Sequence, residues 1–470
     1  MPRIYLDTNV FSNLRNNITP VDQQLNLLLE QFKNNLTIVF SHAHIRDKLN
    51  DKSDMKSLDF EFMENLVGDN YLSYHGLEKR TSFYLATPKM VFDDEQGDNI
   101  EVLSNVFEEQ PDDDELTVLR KRLTKNIFSS VKVPIDQIDL NLLPKGHMEI
   151  MSQIIPTRNS SLFDLMNQVK DLSIDVLTDN TTYKKLREII DAKLNNGSLT
   201  LNGEENLNEL FQDSTFRKTY VDLVKDSITI YHKDEIPYYD FYLQSYTKLD
   251  MLGVNKDKLN QKNTFRNIFN DSLHSYYARY CDYLITKDKR LIEKSQALYE
   301  IYGVYTKILS PQQFLDVLSI IGPNNEENMS DFFSKLAYDI KNTELQEPII
   351  VEDEVSVYRV FTGNLYLNFF DLIFIVIRDS TNIEYVFCKS ETSVLSEPCF
   401  REQEIITNKC ITLFGEDADS FGKFNFETET KDSKVAFLRR WQFSELKLSL
   451  NHHQLFNKFS LSIQPIAQLQ

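Results

Sequence analysis

Glycine, proline and cysteine are scarce in this chain, at 12, 13 and 4 of 470 residues, and there is one tryptophan. The first two shortages exclude collagen-like and low-complexity architectures. Cys281, Cys388, Cys399 and Cys410 show no C-x-x-C spacing and no matching histidine pair, which argues against a disulfide framework or a structural zinc site. A reducing, cytoplasmic setting follows as the expectation. Long apolar runs are also missing. The longest, Leu372 to Ile377, is bracketed by Asp371 and Arg378 and is far shorter than the roughly 20 residues that span a bilayer. Met1 to Asp7 lacks the apolar core of a signal peptide, so no membrane partner is expected. Basic residues are outnumbered, 51 Lys plus Arg against 71 Asp plus Glu, for a formal charge of −20. That balance excludes a surface coated for nonspecific nucleic-acid binding, and any phosphate-bearing ligand must be met locally.

What is present is enough apolar material, 41% of residues with 32 Phe and 22 Tyr, for two or three packed cores. Ile4 to Leu6 reads as a short strand ending at Asp7, with a helix following from Val10. Val21 to Phe32 reads as an amphipathic helix, Leu36 to Phe40 as the next strand, and Ser41 as the cap of another helix. Strand-helix alternation of this kind implies a parallel sheet whose functional groups gather at the carboxyl ends of its strands. Between about 90 and 250 the pattern becomes acidic loops (Asp93 to Glu95, Asp112 to Glu115) alternating with amphipathic helices such as Tyr183 to Leu194. The α/β signal returns with a helix from Asp271 to Tyr280, strands at Tyr283 to Thr286 and Val304 to Leu309, and helices at Phe314 to Ile321 and Met329 to Ile340. Beyond these, β-branched and aromatic runs (Ile349 to Val351, Val355 to Phe361, Leu372 to Ile377, Tyr385 to Cys388) alternate with turns at Thr362 to Asn364 and Asp379 to Asn382. The expected organisation is an α/β domain over 1–90 and 251–318, a helical insertion over 91–250, and a β-rich domain over 319–470.

Four acids fall at strand ends or on helices beside them: Asp7, Asp47, Asp271 and Asp288, with Asp282 as a fifth candidate. Carboxylates gathered at one sheet edge repel one another unless a divalent cation neutralises them, and Mg²⁺ and Mn²⁺ favour oxygen ligands. Ions held there would polarise a phosphate and activate water, the chemistry of metal-dependent nucleases.

The residues that bring these acids together carry a resemblance. Ile4-Tyr5-Leu6-Asp7-Thr8-Asn9 resembles the opening of a PIN-domain nuclease, in which a strand delivers the first catalytic aspartate. Asp271-Ser272-Leu273-His274-Ser275-Tyr276-Tyr277-Ala278, followed by Asp282-Tyr283-Leu284-Ile285-Thr286-Lys287-Asp288, resembles the family's late signature. Ser41 to Leu49 is similar to the family's S-x-x-x-x-x-E-L helix, with Asp47 where Glu is usual. The resemblance covers about a quarter of the chain, near 1–60 and 260–312. It implies a PIN-like parallel-sheet sandwich split by the helical insertion, and an endoribonuclease dependent on Mg²⁺ or Mn²⁺, with RNA as substrate ahead of DNA. It implies Asp7, Asp271 and Asp288 as metal ligands and Asp47 as a fourth acid. Asn9, Thr286 and Asp282 would orient carboxylates or metal-bound water. Of the histidines His42, His44 and His274, His44 stands one helical turn from Asp47 and is the one expected to assist. The alternative is a PIN-like scaffold that no longer cleaves and binds nucleic acid or a protein.

Segments 1–50 and 271–310 carry a net charge of +2. Arg46, Lys48, Lys287, Lys289 and Arg290 are therefore expected to receive a phosphodiester backbone. The insertion would wall the cleft, and the β-rich domain would contact a protein partner or a second copy. Trp441 reads as a core tryptophan flanked by surface arginines.

Overall fold

The computed structural model describes residues 1–50, 55–95, 183–184, 187, 201, 206–214, 216–229, 236–257, 264–321, 328–343, 348–352, 355–379, 382–390, 400–429, 438–456 and 458–466. The acidic stretch at Asp112, most of the helix expected from Tyr183, and Cys399 lie outside them.

Two sheets organise the molecule. The first has the order β4-β3-β2-β1-β5-β6, formed by β1 (Arg3–Leu6), β2 (Thr37–Ser41), β3 (Asn70–His75), β4 (Arg80–Leu85), β5 (Tyr283–Ile285) and β6 (Lys307–Leu309). All pairings are parallel except β3 with β4. Period-two alternation sends neighbouring side chains to opposite faces. Ile4, Leu6, Ile38, Phe40 and Ile285 face one core, built with α1 (Thr8–Asn16), α2 (Pro20–Phe32), α4 (Lys56–Val67), α5 (Pro88–Glu95) and α11 (Pro311–Ile321). Tyr5, Val39, Leu72, Phe83 and Leu284 face the other, built with α6 (Leu207–Gln212), α7 (Tyr220–Thr229), α8 (Tyr238–Met251), α9 (Phe265–Ala278) and α10 (Lys289–Tyr302). Helix α3 (His42–Asn50) follows β2 and contributes Ala43 to one core and Ile45 to the other. Coverage on both sides explains why the central strands β1, β2 and β5 are buried along most of their length. The described part of the expected insertion thus belongs to a main core: Tyr242 and Tyr246 of α8 pack in one cluster with Tyr5 and Val39. Asp93 to Glu95, expected as a loop, close helix α5.

The second sheet is antiparallel, in the order β11-β12-β13-β10-β9-β8-β7, formed by β7 (Ile350–Glu352), β8 (Val355–Tyr366), β9 (Phe370–Ile377), β10 (Ile383–Cys388), β11 (Leu438–Gln442), β12 (Leu446–His453) and β13 (Lys458–Pro465). Phe332 and Leu336 of α12 (Met329–Asn342) and Ile406, Cys410 and Phe414 of α13 (Phe400–Phe414) pack on one face against Val360, Ile373, Phe387, Leu448 and Trp441. The turn expected at Thr362 to Asn364 is instead an irregularity within β8, where register shifts between Phe361 and Tyr366. The chain reverses at Leu367 and Asn368, both at positive φ. Trp441 is buried and donates from Nε1 to the Gly415 carbonyl at 2.8 Å. Its neighbour Arg439 is not a surface residue: it is 1% exposed and pairs with Asp417 and Glu429, each at 2.6 Å.

The units meet at the amino-terminal edge of the first sheet. Arg3 clasps buried Glu402 through two bonds of 2.8 and 2.6 Å. Lys389 reaches Asp282 at 2.9 Å, and Arg401 grips Asp69 at 3.0 and 2.9 Å. No helix among the described residues is long and apolar enough to cross a membrane.

Candidate functional site

Strand β1 pairs with β2 on one side and β5 on the other, and the chain leaves in opposite directions from that point. Such a switch opens a crevice beyond the carboxyl ends of the two central strands. Asp7 follows β1 there, its amide bonded to the Ile285 carbonyl at 3.0 Å. Thr286 follows β5. Its hydroxyl donates to Asp7 Oδ2 at 2.8 Å and accepts from the Asp288 amide at 3.0 Å, so one side chain sets both acids. Asp288 caps α10, accepting from the amides of Arg290 and Leu291 at 2.7 and 3.0 Å. Helix α9 begins early, at a capping box made by Thr264 and Asn267, which puts Asp271 in the body of the helix.

The electrostatics tie these acids into one group. Burial lifts the Asp7 carboxyl above the usual carboxylate range, with Asp47 and Asp288 adding to the push and His274 and Thr286 opposing it. Asp271 is driven well above that range by burial, then by the charges of Asp288 and Asp7. Asp47 goes the other way. Burial disfavours its charge, yet the hydrogen bond and charge of His274, with bonds from Thr8 and Asn270, hold it down to about 2. Both of its oxygens are engaged, Oδ1 by Asn270 Nδ2 at 2.7 Å and Oδ2 by His274 Nε2 at 2.9 Å. His274 is raised in return: burial works against its charge, but Asp47 and Asp7 favour the imidazolium. Its Nδ1 meets the Tyr5 hydroxyl at 2.9 Å, and that hydroxyl meets Ser41 Oγ at 2.7 Å. Asp47 therefore anchors a buried relay.

Several expected residues stand elsewhere. Asp282 precedes β5 whereas Asp288 follows it, so the two lie at opposite edges of the sheet. Asp282 accepts from the Arg3 amide at 2.6 Å and from Lys389, and orients nothing at the carboxylates. His44 accepts from the Ser41 amide at 3.0 Å and meets the Leu6 carbonyl at 2.7 Å, so Nε2 carries the proton. Burial and the charge of His274 lower it to about 3, and it is a neutral brace for the end of β1. Lys48 is buried in a 2.7 Å pair with Asp59. Lys287 binds Asp22 at 2.8 Å, Arg290 binds Glu293 at 3.1 Å, and Lys289 is exposed, 3.5 Å from the same glutamate. Arg46 stacks over Phe269. Asn9 is exposed, and its neighbour Thr8 is the residue that bonds Asp47.

Sequence reasoning missed a second polar layer behind Asp271. Lys294, fully buried, binds Asp257 at 2.6 Å and Asp250 at 3.2 Å. Arg187 and Tyr183 add bonds of 3.0 and 2.8 Å to Asp250. The charges of both Asp257 and Lys294 reach Asp271. No spacing in the sequence marks this lysine, since Lys294 stands six residues from Asp288 and so on a different face of α10. Among the described residues, no three His, Cys, Asp or Glu side chains close into a preformed metal cage. Oxygen donors set against one another at Asp7, Asp271 and Asp288 nonetheless suit a hard divalent cation, whose charge relieves the repulsion that lifts Asp271. Comparison with family models, with curated proteins and with solved structures yields no match.

Proposed function

We propose that the chain is a nuclease of the PIN type, hydrolysing phosphodiester bonds in RNA with Mg²⁺ or Mn²⁺, its α/β domain interrupted between α5 and α9 by the segment holding α6 to α8. One observation carries the reading: Asp7, Asp271 and Asp288 act on one another electrostatically at the switch point between β1 and β5, and Thr286 fixes two of them. Asp7, Asp271 and Asp288 would hold the ion. Bound there, it supplies Lewis-acid polarisation of the phosphate and a water of lowered pKa. Thr286 orients Asp7, and the backbone amides at the start of α10 hold Asp288 through one carboxylate oxygen. His274 neutralises Asp47, which limits the negative charge that an incoming phosphate meets.

A specific observation favours the second reading, a scaffold that binds without cutting: Asp47, at the family's glutamate position, has both oxygens taken by protein donors. Cleavage of labelled single-stranded RNA and DNA with Mn²⁺, Mg²⁺ or EDTA separates the two. Metal-dependent cutting that falls by about 10³ or more in Asp7→Asn and Asp288→Asn, as loss of several kcal/mol of charge stabilisation requires, supports the nuclease. Cutting retained in both variants overturns it, and absence of cutting with no Mn²⁺ effect on the melting temperature favours the scaffold.

A further inference from the structure

Tyrosines fill much of the core between α8, α9 and α10, and their hydroxyls are bonded one after another. Helices α8 and α9 run antiparallel there: Tyr239 meets Tyr276 edge-on with ring centres 4.9 Å apart, and the Tyr242 hydroxyl meets Ser275 Oγ at 2.7 Å. Ser295 of α10 donates to the same serine at 2.7 Å. One turn further along α8 stands Tyr246, and one turn back along α9 stands Asp271, about 6 Å on at 1.5 Å per residue. Because α9 runs down to the start of β5, that step back is a step toward the carboxyl edge of the sheet. Tyr246 is fully buried, with the Lys294 ammonium 5.5 Å from its ring centre. Its hydroxyl is the one tyrosine oxygen among the described residues that is buried with no hydrogen-bond partner.

The surroundings of that oxygen are acidic. Burial raises the phenol well above its usual 10, and the charges adding to the rise are Asp271 first, then Asp257 and Asp288. The group therefore stays a donor. Lys294 is bound to Asp257 and Asp250, so the phenol is the unused donor level with Asp271. A fold keeps a buried, unpaired hydroxyl where a water or an ion serves it, and Mg²⁺ held by few carboxylates retains several waters. We propose that Tyr246 is a positioning residue of the carboxylate site: its hydroxyl donates to a water on the inner side of Asp271, one that a divalent cation held there keeps in its hydration shell. This inference rests on the nuclease reading and adds the group that steadies the ion's water from the protein side.

The test is Mn²⁺ binding by the full chain, read as loss of the free-ion signal in electron paramagnetic resonance, for wild type, Tyr246→Phe and Tyr242→Phe, with melting temperatures and RNA cleavage alongside. Tyr246→Phe keeps the ring and removes one oxygen. It raises the Mn²⁺ Kd about 10- to 100-fold, the scale for a group that holds a metal's ligands from behind, and shrinks the Mn²⁺-induced rise in melting temperature. Cleavage at low Mn²⁺ falls through kcat with the KM for RNA unchanged, and high Mn²⁺ restores it. Tyr242→Phe breaks the bond to Ser275 one turn away; it lowers the melting temperature and leaves the Mn²⁺ Kd as in wild type. Wild-type Mn²⁺ affinity in Tyr246→Phe overturns the proposal. So does an equal loss of affinity in Tyr242→Phe, which assigns the effect to the packing of α8, and so does a Tyr246→Phe chain that fails to fold, which makes the hydroxyl structural. In each case Mn²⁺-dependent cleavage by wild type leaves the nuclease reading standing, whereas wild type that neither binds Mn²⁺ nor cuts overturns both.

Discussion

Asp7 and Asp271, at the carboxyl edge of the first sheet, are treated in the opposite way to the acids at its amino-terminal edge, while Asp47 keeps a partner in His274. At the amino-terminal edge each acid has a cation: Asp282 has Lys389, Asp69 has Arg401 and Glu402 has Arg3. Their carboxyls are correspondingly held below the ordinary range, against the burial that opposes the charge at Asp282 and Glu402 and helped first by the Arg401 bond at Asp69. At the carboxyl edge, Asp7 and Asp271 are pushed upward by burial and by each other's neighbours. The first edge joins two units of the molecule. The second holds carboxyls whose charged form burial and like neighbours disfavour, an arrangement that a fold tolerates only where surrounding structure holds it and that marks a candidate for function.

Substitutions should separate the edges by sign. The largest effect is expected at the joint. Glu402→Gln leaves the Arg3 guanidinium buried without its counter-charge and should lower stability by about 3–5 kcal/mol in denaturant unfolding. A loss under 1 kcal/mol would mean the pair is dispensable.

The carboxyl edge should respond in the other direction. Because the folded Asp271 carboxyl binds its proton more tightly than the unfolded one, metal-free stability falls as pH rises from the ordinary value of 3.8 through its raised one. Asp271→Asn removes that fall and should raise the neutral-pH melting temperature in EDTA, by about 2–4 °C for each kcal/mol of repulsion relieved. A melting temperature that drops would show that Asp271 is held by partners rather than strained by neighbours.

The smallest effect is spectroscopic. His274 should remain an imidazolium above 6.5, so the stability of its pair with Asp47 is full below that pH and lost as pH rises through the folded value. His44 should stay neutral down to about 3. Imidazole NMR shifts that titrate together near 6.5 would remove the distinction.

Much of this contrast was legible in the chain. The strands through Tyr5, Val39 and Leu284 are apolar runs ended by Asp7, Ser41 and Thr286-Lys287-Asp288, and strand order put those acids on one side. The placement of Asp282 was legible too, since three residues of β5 separate it from Thr286 and a strand of that length carries the chain across the sheet. Lys48 was not, because its partner Asp59 lies on the next helix and only packing joins them. Thr8, Asn270 and Lys294 are polar residues on helices, whose partners lie 37 to 223 positions away. The β3 to β4 hairpin was missed because Tyr71, Ser73 and Tyr74 alternate weakly and the turn at Gly76 sits amid charged residues.

The central position of β1 also sets an order of events during synthesis. The hydroxyl that orients Asp7 belongs to a residue 279 positions later, and the acid that pairs with Arg3 comes 399 positions later. At about 5–20 residues per second, roughly a quarter of a minute to a minute separates the first catalytic candidate from its partners leaving the ribosome. Through that interval β1 has only β2 beside it, and its other edge waits for β5, so a nascent chain carries Asp7 without the hydroxyl that orients it.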